Sequence, residues 1–223
     1  MAAFELSKWY LDCVTDSGDV SIAYTGMVNW GPIRLHYSSL LESTAGLVGA
    51  KHSLRPQGEP KFEECALRWR SGALKIDGEW QADSPEIRET IFVNDAGSIE
   101  WHCRMPRAQA RLHNRLGFGY AEHLNMTIAP WKLPIRTLRW GRFAAASDWI
   151  VWIDWLGEFT RRIVYWNGQI APPPSSKTAR SNSATERVLL WTAPSSYVKA
   201  RSVRQHCLPC QEFGTRFQRV CSR

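Results

Sequence analysis

The chain is built from short runs in which apolar and polar residues alternate, each closed by turn residues, and this pattern restricts it to strands. Trp9 to Val14 leads into Asp16-Ser17-Gly18-Asp19, Val20 to Val28 stops at Trp30-Gly31-Pro32, and Ile33 to Tyr37 alternates cleanly. After a loop from Gly46 to Pro60, Phe62 to Trp69 and Ala73 to Trp80 read as a strand pair. Arg88 to Asn94 and Ser98 to Arg104 read as a hairpin around Asp95-Ala96-Gly97. Tyr120 to Ile128, Asp148 to Leu156 and Arg162 to Trp166 add three more strands. A period of two over about ten such segments, with no long amphipathic helical stretch before residue 170, predicts an all-β fold. The expected form is an antiparallel β-barrel or sandwich of about eight to ten strands. A barrel of that size can hold a small ligand in its interior.

The pattern sets the expected boundaries. Residues 1–170 form the β-barrel domain. Residues 171–198, opening on Ala171-Pro172-Pro173-Pro174-Ser175-Ser176, are a Pro/Ser-rich linker with one more strand at Glu186 to Trp191. Residues 199–223 lose all periodicity and read as a disordered basic tail. That tail holds one Lys and five Arg against one Glu, which is most of the chain's net charge of +7. The body is therefore close to neutral, and no specific nucleic-acid partner is expected. No apolar run reaches the roughly 18 residues of a spanning helix, so contact with a membrane would be peripheral, through the tail. The N-terminal residues show no basic segment followed by an apolar one, and the expected compartment is the cytoplasm.

Twelve Trp, eight Phe and six Tyr have to be placed. They can fill a β core, or they can wall a pocket. Cys13, Cys65 and Cys103 lie in apolar-periodic stretches and read as buried thiols. His206-Cys207-Leu208-Pro209-Cys210 could open a zinc site, but no second pair at metal spacing follows and Cys221 stands alone. Neither a metal nor a cofactor is expected. The chain has no phosphate-binding Gly-x-x-x-x-Gly-Lys, no Gly-x-Ser-x-Gly and no His-Glu-x-x-His. Gly117-Phe118-Gly119 is too short for a dinucleotide fingerprint and precedes a strand.

Chemistry concentrates in Gly117 to Ile128. Period two puts Tyr120, Glu122, Leu124, Met126 and Ile128 on one face of that strand, and Ala121, His123, Asn125 and Thr127 on the other. Glu122 is then a carboxyl among apolar neighbours, where desolvation favours its protonated form and general-acid work. The alternative is a structural ion pair, with Arg142 as the candidate partner. Asp154 shares a face with Ile150, Trp152 and Leu156, or else begins a solvated turn. Asp12, beside Tyr10 and Val14, poses the same choice. His36, His102 and His123 read as surface or locally bonded histidines, His123 being the best candidate because it adjoins Glu122.

Three segments carry a resemblance. Lys8-Trp9-Tyr10-Leu11-Asp12, Gly119-Tyr120-Ala121-Glu122-His123 and Leu138-Arg139-Trp140-Gly141-Arg142 are similar to segments of the carotenoid 1,2-hydratase (hydroxyneurosporene synthase) superfamily, a lipocalin-like group that includes fungal pericyclase-type cyclases. The likeness covers about residues 8 to 166. Glu122 stands where the family has Asp, the first Trp of the Trp-x-Trp-x-Arg segment is lost, and Leu124 replaces a polar residue. The chain resembles one half of the family's two-part architecture or a shortened relative. The resemblance implies a lipocalin-like, ligand-holding barrel and an acid that protonates or orients a double bond of an isoprenoid or polyketide.

Three functions compete on this reading. The first is hydration, cyclisation or isomerisation of an apolar small molecule. Its catalytic residues would be Glu122 as acid, Tyr120 as part of a π wall and Arg142 as tuner of the carboxyl; Trp140, Leu124, Met126, Trp9 and Trp152 would bind the ligand. The second is a non-catalytic carrier of such ligands. The third is a scaffold whose basic tail binds membrane lipid or nucleic acid.

Overall fold

The computed structural model describes residues 4–171 apart from residues 64 and 146. The expected linker, the strand at Glu186 to Trp191, the basic tail and Cys207, Cys210 and Cys221 lie outside the described residues.

Strands β1 (Phe4–Val14), β2 (Val20–Trp30), β3 (Ile33–Thr44) and β4 (Leu47–Ser53) run as successive hairpins. They are followed by β5 (Lys61–Glu63), β6 (Ala66–Ser71), β7 (Ile76–Ala82), β8 (Ile87–Asn94), the long β9 (Gly97–Leu112) and β10 (Arg115–Met126). These ten form one antiparallel sheet in the order β4-β3-β2-β1-β10-β9-β7-β6-β5, with β8 also paired to β9. A 3-10 turn at Pro130–Lys132 leads to β11 (Thr137–Ala144), β12 (Trp149–Leu156), β13 (Arg161–Trp166) and β14 (Gln169–Ile170), a separate antiparallel sheet in sequence order.

The fold is all-β and antiparallel as expected, but it is not a closed barrel. The large sheet keeps open edges at β4, β5 and β8, and a second sheet packs on it. β9 explains how one sheet can curl: Ile99 to Cys103 pair with β8, whereas Ala108 to Leu112 pair with β7. One buried cluster, with Leu11, Leu40, Leu67, Trp69, Trp80 and Leu112, is drawn from the large sheet alone. The sheet therefore folds over one of its own faces. A second cluster joins its other face, through Tyr10, Trp101, Tyr120 and Met126, to Val151, Ile153 and Trp155 of the small sheet.

Three local expectations fail for identifiable reasons. The loop predicted from Gly46 to Pro60 contains β4, because Ala45 and Gly46 both take positive φ and make a two-residue hairpin turn. Phe62 to Trp69 is broken into two strands, and Cys65 is exposed between them; Cys13 and Cys103 are buried as expected. β11 was not foreseen, because Gly141 and two arginines interrupt its apolar pattern. Gly141 is needed there: a Cβ would lie 2.2 Å from the Trp152 ring packed over it.

Candidate functional site

β1 and β10 are antiparallel neighbours at the centre of the large sheet, with Lys8 opposite Leu124, Tyr10 opposite Glu122 and Asp12 opposite Tyr120. Alternation turns these six side chains to one face, toward the small sheet. Between the two sheets lies a cavity of ≈ 220 Å³. Trp101, Tyr120, Trp140 and Trp155 wall it with aromatic side chains, Trp152 borders it, and Leu124, Met126, Val151 and Ile153 complete much of its apolar surface. Leu133, Ile135 and Leu138 line it from the connection into β11 and from β11 itself; Leu138 is 41% exposed, so the cavity reaches the surface beside it. Its ionisable wall groups are Glu122 and Lys8.

Glu122 is 9% exposed. The indole Nε1 of Trp101 and the hydroxyl of Tyr120 each donate to its Oε2 at 2.6 Å. No described residue donates to Oε1. Burial raises the Glu122 pKa above the ordinary carboxyl value; the two hydrogen bonds and Lys8 oppose that rise without cancelling it, and Asp12 adds to it. A neutral carboxyl with both donors on Oε2 carries its proton on Oε1.

Arg142 is not the partner of Glu122. Its Nε and Nη2 bond Asp12 Oδ2 and Oδ1 at 2.9 and 2.5 Å, and Nη2 also donates to the Phe118 carbonyl at 3.4 Å. The Asp12 and Arg142 side chains are 0% and 6% exposed. This fork-to-fork pair ties β1 to β11, and the ion pair expected as the alternative between Glu122 and Arg142 does not form. Burial alone would lower the Arg142 pKa, but Asp12 more than offsets it and holds the guanidinium charged. A second tie joins the sheets where Arg161 bonds Glu89 at 2.7 Å and the Thr90 and Ile91 carbonyls.

Of the residues singled out in the sequence, Glu122, Tyr120, Trp140, Leu124, Met126 and Trp152 meet at the cavity. Trp9 does not: it faces the other cluster and stacks on His123 with ring centroids 4.4 Å apart. Odd and even residues of β1 point to opposite faces, so Trp9 and Lys8 cannot share a wall. His123 is bonded to Ser7 at 2.8 Å on that opposite side, and burial pushes its pKa down to about 4. His102 bonds Glu86 on the outer face, and Asp154 pairs with Arg162 at 2.7 Å. Trp101 and Lys8 were missed as site residues. Both were readable by counting in twos, Trp101 between the outward Glu100 and His102, and Lys8 from Tyr10.

No family model matches the chain, and no curated protein matches it. Solved structures resemble it distantly. A protein described as an AttH from Nitrosomonas europaea shares 8% identity at a TM-score of 0.43, over 76% of this chain and 67% of that one. Kievitone hydratase from Nectria haematococca shares 12% at a TM-score of 0.43, over 83% and 69%. CghA shares 12% at 0.39, over 82% and 64%. Among the described residues no helix is long and apolar enough to cross a membrane, and no three His, Cys, Asp or Glu side chains are grouped as a metal site.

Proposed function

We propose that the chain takes an apolar small molecule, isoprenoid- or polyketide-like, into the cavity between its sheets, and that Glu122 protonates a double bond of it to start hydration, cyclisation or isomerisation. The observation that carries this reading is one carboxyl, bonded on one oxygen by Trp101 and Tyr120, inside a cavity whose walls, Lys8 apart, are otherwise apolar and aromatic. A structural acid has no need of such a place. Proton transfer leaves positive charge on the ligand and negative charge on Glu122. Trp101 and Tyr120 then hold the carboxylate through bonds that strengthen as it charges. The stacked rings of Tyr120 and Trp140, 6.1 Å between centroids, present π faces to the developing cation. The Asp12–Arg142 pair keeps β11, and with it Trp140, against β1.

Mass spectrometry of organic extracts of the purified protein identifies what the cavity retains, and the same compound then serves as substrate. With it, Glu122→Gln is expected to keep binding within a few-fold and to lose about 10²- to 10⁴-fold in turnover. Undiminished turnover rejects the acid. Binding with no turnover in the native chain identifies a carrier instead.

A further inference from the structure

Lys8 has no assigned role in that scheme, and its surroundings are unusual for a lysine. It sits at the centre of β1 on the cavity face, opposite Leu124 on one neighbour and Gly26 on the other. Gly26 leaves the space beside it free of a side chain. The Lys8 Nζ lies 4.7 Å from the centre of the Tyr24 ring, and no described residue accepts a hydrogen bond or forms an ion pair with it. Glu122 is its diagonal neighbour across the β1–β10 pair, on the same face, where such residues are about 7–8 Å apart. An unpaired amine and an acid therefore border one apolar cavity.

We propose that Lys8 is a covalent capture site for an aldehyde or ketone, forming an imine with a carbonyl-bearing ligand of the cavity. This rests on the reading that the cavity receives an apolar small molecule, and it adds the functional group that molecule carries. The neutral amine adds to the carbonyl carbon, and a proton passes from nitrogen to oxygen to give a carbinolamine. Glu122 delivers its proton to the carbinolamine hydroxyl, which leaves as water while the nitrogen lone pair forms the C=N bond. The products are a protonated imine, the Glu122 carboxylate and one water, so atoms and charge balance without a redox partner. Burial disfavours the charged form of Lys8 and outweighs the opposing pull of Glu122, which shifts the balance toward the nucleophilic free amine. The Tyr24 ring and the Glu122 carboxylate then face the cationic product.

Cinnamaldehyde, an apolar phenyl-bearing α,β-unsaturated aldehyde, tests this with sodium cyanoborohydride as the hydride source, followed by peptide mapping. The expected result is a reduced cinnamyl adduct on Lys8 forming about tenfold or more faster than on exposed Lys51 or Lys75, slowed in Glu122→Gln and absent from Lys8→Arg and Lys8→Met. Cinnamyl alcohol, which lacks the carbonyl, is titrated in parallel against tryptophan fluorescence. Alcohol binding without preferential Lys8 labelling overturns the capture site and leaves the cavity reading standing. Failure of both probes to bind or label overturns both. Labelling spread evenly over the surface lysines overturns the proposal without recourse to any variant.

Discussion

β1 and β10 present the same backbone to two different interiors. On the odd face of β1, Trp9, Leu11 and Cys13 enter a dry cluster enclosed by the curl of the large sheet. On the even face, Lys8, Tyr10 and Asp12 meet the small sheet, and the packing there includes a cavity, two buried carboxyls and a lysine. The difference lies in how each interior is closed. The curled sheet closes on apolar side chains and a few small hydroxyls, Thr25 bonding Ser38 at 2.8 Å, whereas the two sheets are tied by the ion pair Asp12–Arg142. The two carboxyls of the even face divide the work in the same way. Asp12 is matched to a fixed cation and holds structure; Glu122 has only neutral donors in contact and keeps a transferable proton.

The strongest way to break this comparison is to remove Asp12. Asp12→Ala leaves the Arg142 guanidinium buried without its partner and is expected to cost about 3–5 kcal/mol in urea or thermal unfolding. Glu122→Gln, by contrast, should not destabilise the chain by more than about 1 kcal/mol, since both donors keep an acceptor. Its sign follows from the raised folded pKa: the Glu122 contribution is complete below the ordinary carboxyl value and is lost as the pH rises through the folded one. The Gln variant should therefore gain on the native chain toward alkaline pH. Equal losses in the two variants would erase the distinction.

The two interiors can be compared with one kind of substitution. Leu11→Ala on the dry face, where Leu11 is 0% exposed, is expected to cost about 2–5 kcal/mol. Leu124→Ala extends an existing cavity from a partly exposed position and should cost about half as much or less. Gly119→Ala tests how tightly the curl closes, because its Cβ would stand 2.5 Å from both Ala110 Cβ and the Trp80 ring. An overpacking loss of about 1–3 kcal/mol is expected, and a neutral result would mean that the dry interior has room.

The smallest effect concerns His123. Its pKa falls from 6.5 to about 4 in the folded chain, so the unfolded chain binds the proton first. The stability it contributes is present above pH 6.5 and is lost as the pH falls toward 4. For a partly exposed ring this amounts to about 1 kcal/mol after screening. His123→Gln should flatten that part of the stability profile in paired urea titrations.

Much of the even face was legible from period two: Tyr120, Glu122, Leu124 and Met126 share a wall as their spacing implies. What periodicity does not carry is which face meets which neighbour. Trp9 and Trp140 look alike in sequence, yet one enters the curl and the other the cavity, because long-range pairing of β9 with both β7 and β8 decides where each interior lies. The partner of Arg142 was hidden for the same reason, since Asp12 is 130 residues away. The small sheet was seen only in part. Asn167-Gly168, with both residues at positive φ, is the turn that makes β14, and the apolar pattern ends before it.

The central claim, that Glu122 waits as a neutral acid, is tested most directly by following the carboxyl carbon of Glu122 through a pH titration by NMR, assigned by its loss in Glu122→Gln. The account predicts a midpoint clearly above the ordinary value of 4.5, so that the protonated form persists where other glutamates have ionised. A midpoint at or below 4.5 would mean a carboxylate stabilised by Trp101, Tyr120 and Lys8, and would contradict the account.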